Sequence, residues 1–411
     1  MAFRWLFFLV FIVIVEYYSF QAFKTITKVK WILALYQIGS LAIIVFITYQ
    51  FTKFDRSLGQ NKQTLFTLGL LLLILIPKLI LFLFMLLEDV FRVFSGTIIH
   101  FMGDNDNGTF LPERRKFFSQ LALGIAAIPF LGLAYGLTKG KYNFKVIRQT
   151  LFFPDLPDAF DGFTITQISD VHSGSFDNPE KINHAIDLIN QQHSDMILFT
   201  GDIVNTHAQE MHPWIDIFNK IEPHPFGKYS VLGNHDYGEY VTWPSQKAKD
   251  ENFEAIKALY GQIGFQLLLN ENVKIKNGTD EIALVGVENW GKYFKKLGNL
   301  NKASKDLNQE DFKILMSHDP SHWEYEIKKH PKNFQLTLSG HTHGFQFGIE
   351  IPGYIKWSPI QYFYKQWAGL YEEFGRYVYV NRGFGFHAYP GRVGIWPEIT
   401  VFQLKKGEKV A

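Results

Sequence analysis

The chain has 411 residues, with 41 Lys plus Arg against 39 Asp plus Glu and a formal net charge of +2. So neutral a balance disfavours a nucleic-acid-binding surface, and no nucleic-acid partner is expected. With no cysteine there is neither a disulfide nor a thiolate metal site, so any metal must be held by oxygen and imidazole.

Four apolar stretches occupy the first third, at 5–23, 31–51, 65–87 and 117–137. Each is about long enough to cross a hydrocarbon core of roughly 30 Å as a helix. The first lacks a small-residue cleavage site, so an anchor is a better reading than a signal peptide. Residues 1–138 are therefore expected to form a four-helix membrane anchor, 139–148 a linker and 149–411 a soluble domain. Two ionisable residues interrupt the apolar segments. Glu16 reads as interfacial, whereas Lys78, beside Pro77, either pairs within the bundle or snorkels around a kinked helix. Basic residues divide seven against eight between the two sides, which leaves orientation open. Only Arg114-Arg115-Lys116-Phe117-Phe118, ahead of the fourth stretch, leans one way. It resembles a twin-arginine export signal, which places the soluble domain on the outer, periplasmic face of a bacterial cytoplasmic membrane.

From about Lys145 the pattern changes to short β-rich runs alternating with helical stretches, the mark of an α/β layer protein. Strands are expected over 163–168, 196–200, 229–232, 282–287, 313–316, 335–338, 377–380 and 399–404. Helices are expected over 179–192, 246–263 and 321–329. Polar residues fall just past five of these strands: Asp170 and His172, then Gly201-Asp202, Gly233-Asn234-His235-Asp236, His318, and Gly340-His341-Thr342-His343. Five strand ends thus deliver oxygen or imidazole donors to one sheet edge, where open α/β proteins place their sites.

Hydrolysis of a phosphate ester near neutral pH needs an activated water and charge compensation on the attacking and leaving oxygens, which two metals about 3.5–4 Å apart can supply. Asp202 is the natural bridging carboxylate, a free histidine could protonate the leaving oxygen, and a carboxylate beside it could hold its ring.

Those residues, in that order, resemble the calcineurin-like metallophosphoesterases over about 163–404. The resemblance implies a β-sandwich flanked by helices and a water activated by two divalent metals. It places Asp170, His172, Asp202 and His343 on one metal, and Asp202, Asn234, His318 and His341 on the other. His235 is then the general acid, oriented by Asp236. An oxygen and imidazole set suits Mn, Fe or Zn. The amino-terminal helices, Ser317-His318-Asp319-Pro320, Asn381-Arg382-Gly383 and Pro397-Glu398-Ile399 resemble a membrane-anchored branch that includes proposed UDP-2,3-diacylglucosamine hydrolases. Phe345 stands where many relatives have a second glycine, which narrows the freedom of that loop. His207, His212, His224, His322 and His330 match no motif position and read as surface residues.

Past the last ligand, Tyr354, Trp357, Tyr362, Phe363, Tyr364, Trp367 and Tyr371 form a dense aromatic stretch without clear period. Packing over the sheet edge is one account; an amphipathic lip that meets the bilayer and admits an acyl chain is the other. Arg382, His387 and Arg392 follow, and an arginine there could grip a second phosphate. Arg392, Arg382, Trp357 and Trp367 are thus the candidate substrate-binding residues. The leading expectation is a phosphodiesterase or pyrophosphohydrolase acting on a lipid-linked or envelope phosphate compound. The alternatives are a phosphomonoesterase or nuclease on soluble substrates, and a membrane sensor or scaffold without turnover. An intact His235 argues against the last.

Overall fold

The structure is a computed structural model that describes residues 2–101 and 112–408. The chain divides into two compact units, one of residues 1–54 and 66–135, the other of 55–65 and 136–411.

The first unit is helical: α1 Ala2–Ile26, α2 Lys30–Thr52, α3 Lys62–Phe101 and α4 Pro112–Thr138. Among the described residues, three helical spans are long and apolar enough to cross a membrane, Lys30–Thr52, Lys62–Ile98 and Glu113–Thr138. Small and flexible side chains let the helices approach: Ala22, Leu81, Met85, Ala122 and Ala126 form a buried cluster joining α1, α3 and α4. Glu16 meets Lys78, and both reach Ser40, whose hydroxyl donates to Glu16 at 2.6 Å. An isolated charge in an apolar bundle is costly, and this three-helix contact neutralises two at once. Arg115 of α4 likewise pairs with Glu88 at 3.2 Å and Asp89 at 2.5 Å on α3. The arginine pair read as an export signal therefore has a structural partner within the bundle.

The second unit is built on two six-stranded sheets and a hairpin. In chain order the strands are β1 Lys145–Phe153, β2 Thr164–Ile168, β3 Met196–Phe199, β4 Lys228–Ser230, β5 Gln266–Leu267, β6 Glu271–Asn277 and β7 Asp280–Gly286. They continue with β8 Lys313–Met316, β9 Leu336–Ser339, β10 Ile349–Ile351, β11 Ile355–Trp357, β12 Gly369–Glu373, β13 Arg376–Val380 and β14 Glu398–Lys406. One sheet runs β1-β14-β2-β3-β4-β5, the other β12-β13-β9-β8-β7-β6, with β10 and β11 paired apart from both. The central strands β2-β3-β4 and β7-β8-β9 are parallel. The middle strands β3 and β8 are buried along their whole length, as the runs Met196–Phe199 and Lys313–Met316 already read. Ile165, Leu198, Ile314, Leu338 and Phe402 fill the space between the sheets, and the helices Pro179–Asn190 and Gln246–Gln262 cover the outer face of the first. The result is an α/β domain with a sandwich of two mixed sheets flanked by helices.

β1 begins at Lys145, inside the segment expected to be a linker. Its alternating polar side chains hide an edge strand whose register is supplied by β14, a partner some 250 positions away and thus invisible locally.

The Glu16–Lys78 contact generates a test. Lys78→Met leaves the half-buried Glu16 with only the Ser40 hydroxyl and is expected to destabilise the full chain in detergent by about 1–3 kcal/mol, whereas Lys78→Met with Glu16→Leu recovers most of that loss. Thermal unfolding checks it, and a single variant as stable as the parent would dismiss the pair.

Candidate metal centre

The donors gather at the carboxyl ends of the parallel strands of both sheets. Asp170 and His172 follow β2, Asp202 follows β3, Asn234 and His235 follow β4, His318 follows β8, and His341 and His343 follow β9. Bringing them together demands sharp turns. Asp170, His172, Asp202, His341 and His343 all have positive φ, between 48° and 72°, a region that L-residues enter at a cost. Gly201, at φ 95°, supplies the turn before Asp202, where a Cβ would press on the backbone of Leu232 and Gly233. Phe345 adopts φ 60°, the left-handed conformation that a glycine would take there without strain.

Around Asp202 the distances are short. Its carboxylate lies 3.1 Å from His318 Nε2 and 3.6 Å from His172 Nε2, and it accepts the His235 backbone N–H at 2.8 Å. On one side His172 Nε2 is 3.0 Å from His343 Nε2, which is 3.3 Å from Asp170. On the other, Asn234 Oδ1 is 3.2 Å from His318 Nε2 and 2.7 Å from His341 Nδ1. Two lobes thus share Asp202. All these side chains are buried except His341, which is half-buried, as is His235.

The far ring nitrogens are tied down. His172 Nδ1 lies 3.1 Å from Asn205 Oδ1, His318 Nδ1 2.6 Å from the Thr200 carbonyl, and His341 Nε2 2.8 Å from the Tyr364 hydroxyl. A ring proton placed on each of these nitrogens leaves the other nitrogen with a lone pair aimed into the site, which is the arrangement a metal-binding imidazole needs. Neutral imidazole and carboxylate oxygen is also the donor chemistry that Mn, Fe or Zn accept, so the residues present fit a divalent ion in each lobe. Three overlapping groups have donor atoms within 4.8 Å of one another: His172 with His343 and His387; His172 with Asp202 and His235; and Asp202 with His318 and His341.

Charge compensation within the cluster is strong. Burial pushes Asp170 up, but His343, His318 and Ser169 outweigh it and hold its carboxyl well below the usual range. Burial pushes His318 down, yet Asp202, Asp170 and the Thr200 carbonyl lift it to about 10. His172 is driven well below its usual value by burial and by the imidazoles around it. A proton on His318 therefore balances the two carboxylates, and an ion entering that lobe must displace it.

His235 is held differently from the sequence expectation. Its Nδ1 lies 2.7 Å from the Asn205 carbonyl, not against Asp236. Asp236 instead accepts the backbone N–H groups of Gly233, Asp202 and Ile203 at 2.8–3.0 Å and the Tyr260 hydroxyl at 2.8 Å. The carboxylate is aimed down into the loops, where it staples the turn after β3 to the turn after β4. Burial and the neighbouring Asp202 push Asp236 up to about 7 despite those donors.

The candidate substrate residues fall in four environments. Arg382 is committed to Glu398 and Glu350, each at 2.5 Å, and lies buried beside β14. Arg392 is fully buried and donates to the Gly383 and Gly385 carbonyls, with one Nη2 3.1 Å from His343 Nδ1. Arg382 is spent on two carboxylates, which corrects its reading as a phosphate grip, whereas Arg392 keeps its Nη1 buried without a hydrogen-bond partner among the described residues. Trp367 is buried in a small cluster with Ile360, Tyr364 and Ile395, so it packs the domain and is no part of a lip. Trp357 is half-buried at the end of β11. His322, expected at the surface, is fully buried and stacks on Trp290 at 4.8 Å.

Sequence reasoning did not single out several residues that complete the site. Asn205, three positions past Asp202, was legible as part of the same loop. Its backbone is held by Glu210, which accepts from the N–H groups of Asn205 and Thr206. Tyr240 accepts from Asn234 Nδ2 at 2.6 Å, and its ring lies 4.4 Å from that of His235. His387 is named in the sequence only as a neighbour of two arginines. Its ring lies 4.6 Å from His172 and 5.1 Å from His235, and no local pattern announces that.

Comparison with known proteins accords with this geometry. Residues 3–141 match the family described as probable calcineurin-like phosphoesterase, transmembrane domain, and residues 163–345 the family described as calcineurin-like phosphoesterase. An uncharacterized metallophosphoesterase of Bacillus subtilis, YkuE, is 33% identical over 303 residues, 71% of this chain and 98% of that one. A second from the same organism, YkoQ, is 24% identical over 69% of this chain and 99% of its own. A transmembrane protein with metallophosphoesterase domain from Danio rerio is 25% identical over 70% of this chain, which spans 63% of that relative.

The stapling role of Asp236 has a direct consequence. Asp236→Asn turns an amide toward three backbone donors and is expected to destabilise the domain by at least about 2 kcal/mol, with Tyr260→Phe costing about 1–3 kcal/mol. Thermal unfolding measures both. An Asp236→Asn protein of parental stability that merely turns over slowly would return this carboxylate to the ring of His235.

Proposed function

Because the chain belongs to the calcineurin-like metallophosphoesterases, we propose that it is a two-metal phosphodiesterase or pyrophosphohydrolase acting on a lipid-linked or envelope phosphate compound, of which a UDP-2,3-diacylglucosamine-like molecule is one example. The observation that carries the reading is the convergence of seven donors, Asp170, His172, Asp202, Asn234, His318, His341 and His343, into two lobes sharing Asp202, with a half-exposed His235 beside them.

Two divalent ions, of Mn, Fe or Zn, would lower the pKa of the attacking water and offset charge on the phosphate oxygens. The protein's own groups do the rest. Asp202 holds the two lobes at a fixed separation. Asn234 and His341 are kept in place by the hydroxyls of Tyr240 and Tyr364, so the second lobe is ordered before substrate arrives. The Asn205 carbonyl fixes the ring of His235 through Nδ1, which leaves Nε2 as the nitrogen able to deliver a proton to the leaving oxygen. Loss of one such acid usually costs roughly 10²- to 10⁴-fold in rate.

The lipid component of the proposal rests on the anchor. Only Lys139 to Phe144 separate α4 from β1, so the domain is tethered close to a bilayer where a lipid headgroup is at hand. The outward-facing, periplasmic orientation is supported by the Arg114-Arg115-Lys116-Phe117-Phe118 resemblance alone, and the ion pairs of Arg114 and Arg115 give those residues a second reason to be there.

Two expected outcomes follow. Asp202→Asn and Asn234→Ala should each lower bound metal and nearly abolish turnover, whereas His235→Ala should keep its metal and lose roughly 10²- to 10⁴-fold in turnover; elemental analysis beside kinetics separates the two classes, and a His235 variant stripped of metal would make that residue a ligand. Secondly, turnover of an aryl diester, an aryl monoester and a UDP-linked sugar with and without its acyl chains, compared in liposomes with Mn, should favour the diester and the acylated sugar. Equal cleavage of the deacylated compound would remove the lipid component.

A further inference from the structure

The hairpin β10–β11 follows only a few residues after His343, and one of its faces is unusually apolar for a protein surface. The register pairs Ile349 with Trp357, Glu350 with Lys356 and Ile351 with Ile355. Side chains alternate along a strand, so Ile349, Ile351, Ile355 and Trp357 share one face while Glu350 and Lys356 share the other. The charged side chains tie the ribbon to the domain, with Glu350 half-buried and Lys356 exposed. Glu350 pairs with the buried Arg382, and the Lys356 ammonium bonds the Ala368 carbonyl at 2.5 Å and lies 5.2 Å over the Trp367 ring. The isoleucines of the other face are left in the open: Ile349, Ile351 and Ile355 are 50%, 49% and 48% exposed, Tyr354 at the turn is 87% exposed, and Trp357 is half-buried.

A two-stranded ribbon in water is marginal and normally presents its polar side to solvent. Here the polar side chains hold the ribbon to the domain through ion-pair and carbonyl contacts, which spends them and frees the aliphatic face for something apolar. The face is a ribbon tip with a turn at Pro352-Gly353 between two strands of three residues. That shape suits a fluid apolar phase better than a protein partner of fixed outline. The phase is at hand, since among the described residues three helices are long and apolar enough to cross a bilayer. Isoleucine along the strands with tyrosine and tryptophan at the ends is the composition that partitions into the headgroup and upper acyl region.

We propose that β10–β11 is a membrane-docking hairpin, which places Ile351, Tyr354 and Ile355 in the interfacial layer of a lipid bilayer. Its depth is limited by its own backbone: the outer edges of a two-stranded ribbon carry unpaired N–H and C=O groups that cannot enter the hydrocarbon core, so the hairpin stays at headgroup level. Docking gives the domain a second contact with the bilayer besides its covalent tether. Because the hairpin continues from the loop that bears His341 and His343, that contact sets the depth at which the proposed metal centre meets a lipid headgroup. The correction to the sequence expectation is specific. The aromatic stretch divides, with Trp367 and Tyr364 packing inside and the isoleucines, which the aromatic count overlooked, forming the outward face.

The chain has no cysteine, so a single introduced thiol can be labelled cleanly. The experiment takes the full chain in phosphatidylethanolamine and phosphatidylglycerol vesicles, with an environment-sensitive fluorophore on Tyr354→Cys, on Ile351→Cys, or on Lys247→Cys, whose side chain is 85% exposed on the helix Gln246–Gln262. Labels at 354 and 351 are expected to emit at shorter wavelength than the label at 247, to be quenched by lipids spin-labelled near the headgroup, and to resist aqueous iodide. Labels at 354 and 351 as open to iodide as that at 247, and unquenched by the lipid probes, overturn the proposal. Protection from iodide without lipid quenching also overturns it, since it identifies a second copy of the chain as the occupant. None of these readings depends on turnover, so the docking proposal and the catalytic one stand or fall separately.

Discussion

Five residues in the left-handed region, spread over three loops, hold this structure's purpose together. Asp170, His172, Asp202, His341 and His343 lie two to four residues past the ends of β2, β3 and β9 in a conformation that costs about 1–2 kcal/mol per residue for L-amino acids. Such strain persists only where surrounding contacts over-determine it. Here the contacts are mutual. The His341 N–H donates to the Asp170 carboxylate, the Asp170 N–H to the Gly201 carbonyl, and the His172 N–H to the Asp202 carbonyl. Asp236 closes the set by binding the turns after β3 and β4 at once. Each loop is therefore a scaffold for the next, and the two sheets underneath fix the strand ends from which all of them start.

The same arrangement governs the electrostatics. Burial opposes both charges, yet the neighbouring imidazoles hold the Asp170 carboxyl well below the usual range, and Asp202 and Asp170 lift His318. A divalent ion would displace a proton there and meet several oxygen and nitrogen donors at once.

Much of this is legible in the sequence. Short apolar runs such as Met196–Phe199 and Lys313–Met316 announce buried parallel strands, and the residues just beyond them announce an edge where polar groups gather. What escapes is non-local. β1 looks like a linker because its partner β14 lies at the other end of the chain. Asp236 sits beside His235 in sequence but faces the opposite way, since a tight turn points neighbouring side chains apart. Arg382 looks like a phosphate grip until Glu398 and Glu350 take it up. Trp367 and Ile351 belong to one apolar-rich stretch, yet only the tertiary packing tells the inward residue from the outward one.

The membrane helices and the phosphoesterase domain are each built around a neutralised charge, Glu16 with Lys78 in one and the shared carboxylates in the other. In the domain, everything rests on Asp202 serving two lobes. The most direct measurement is electron paramagnetic resonance of the Mn-reconstituted full chain. Two ions bridged by one carboxylate are expected to give an exchange-coupled signal at two Mn per chain, lost in Asp202→Asn. A spectrum of isolated Mn ions, or saturation at a single ion per chain, would contradict the shared centre.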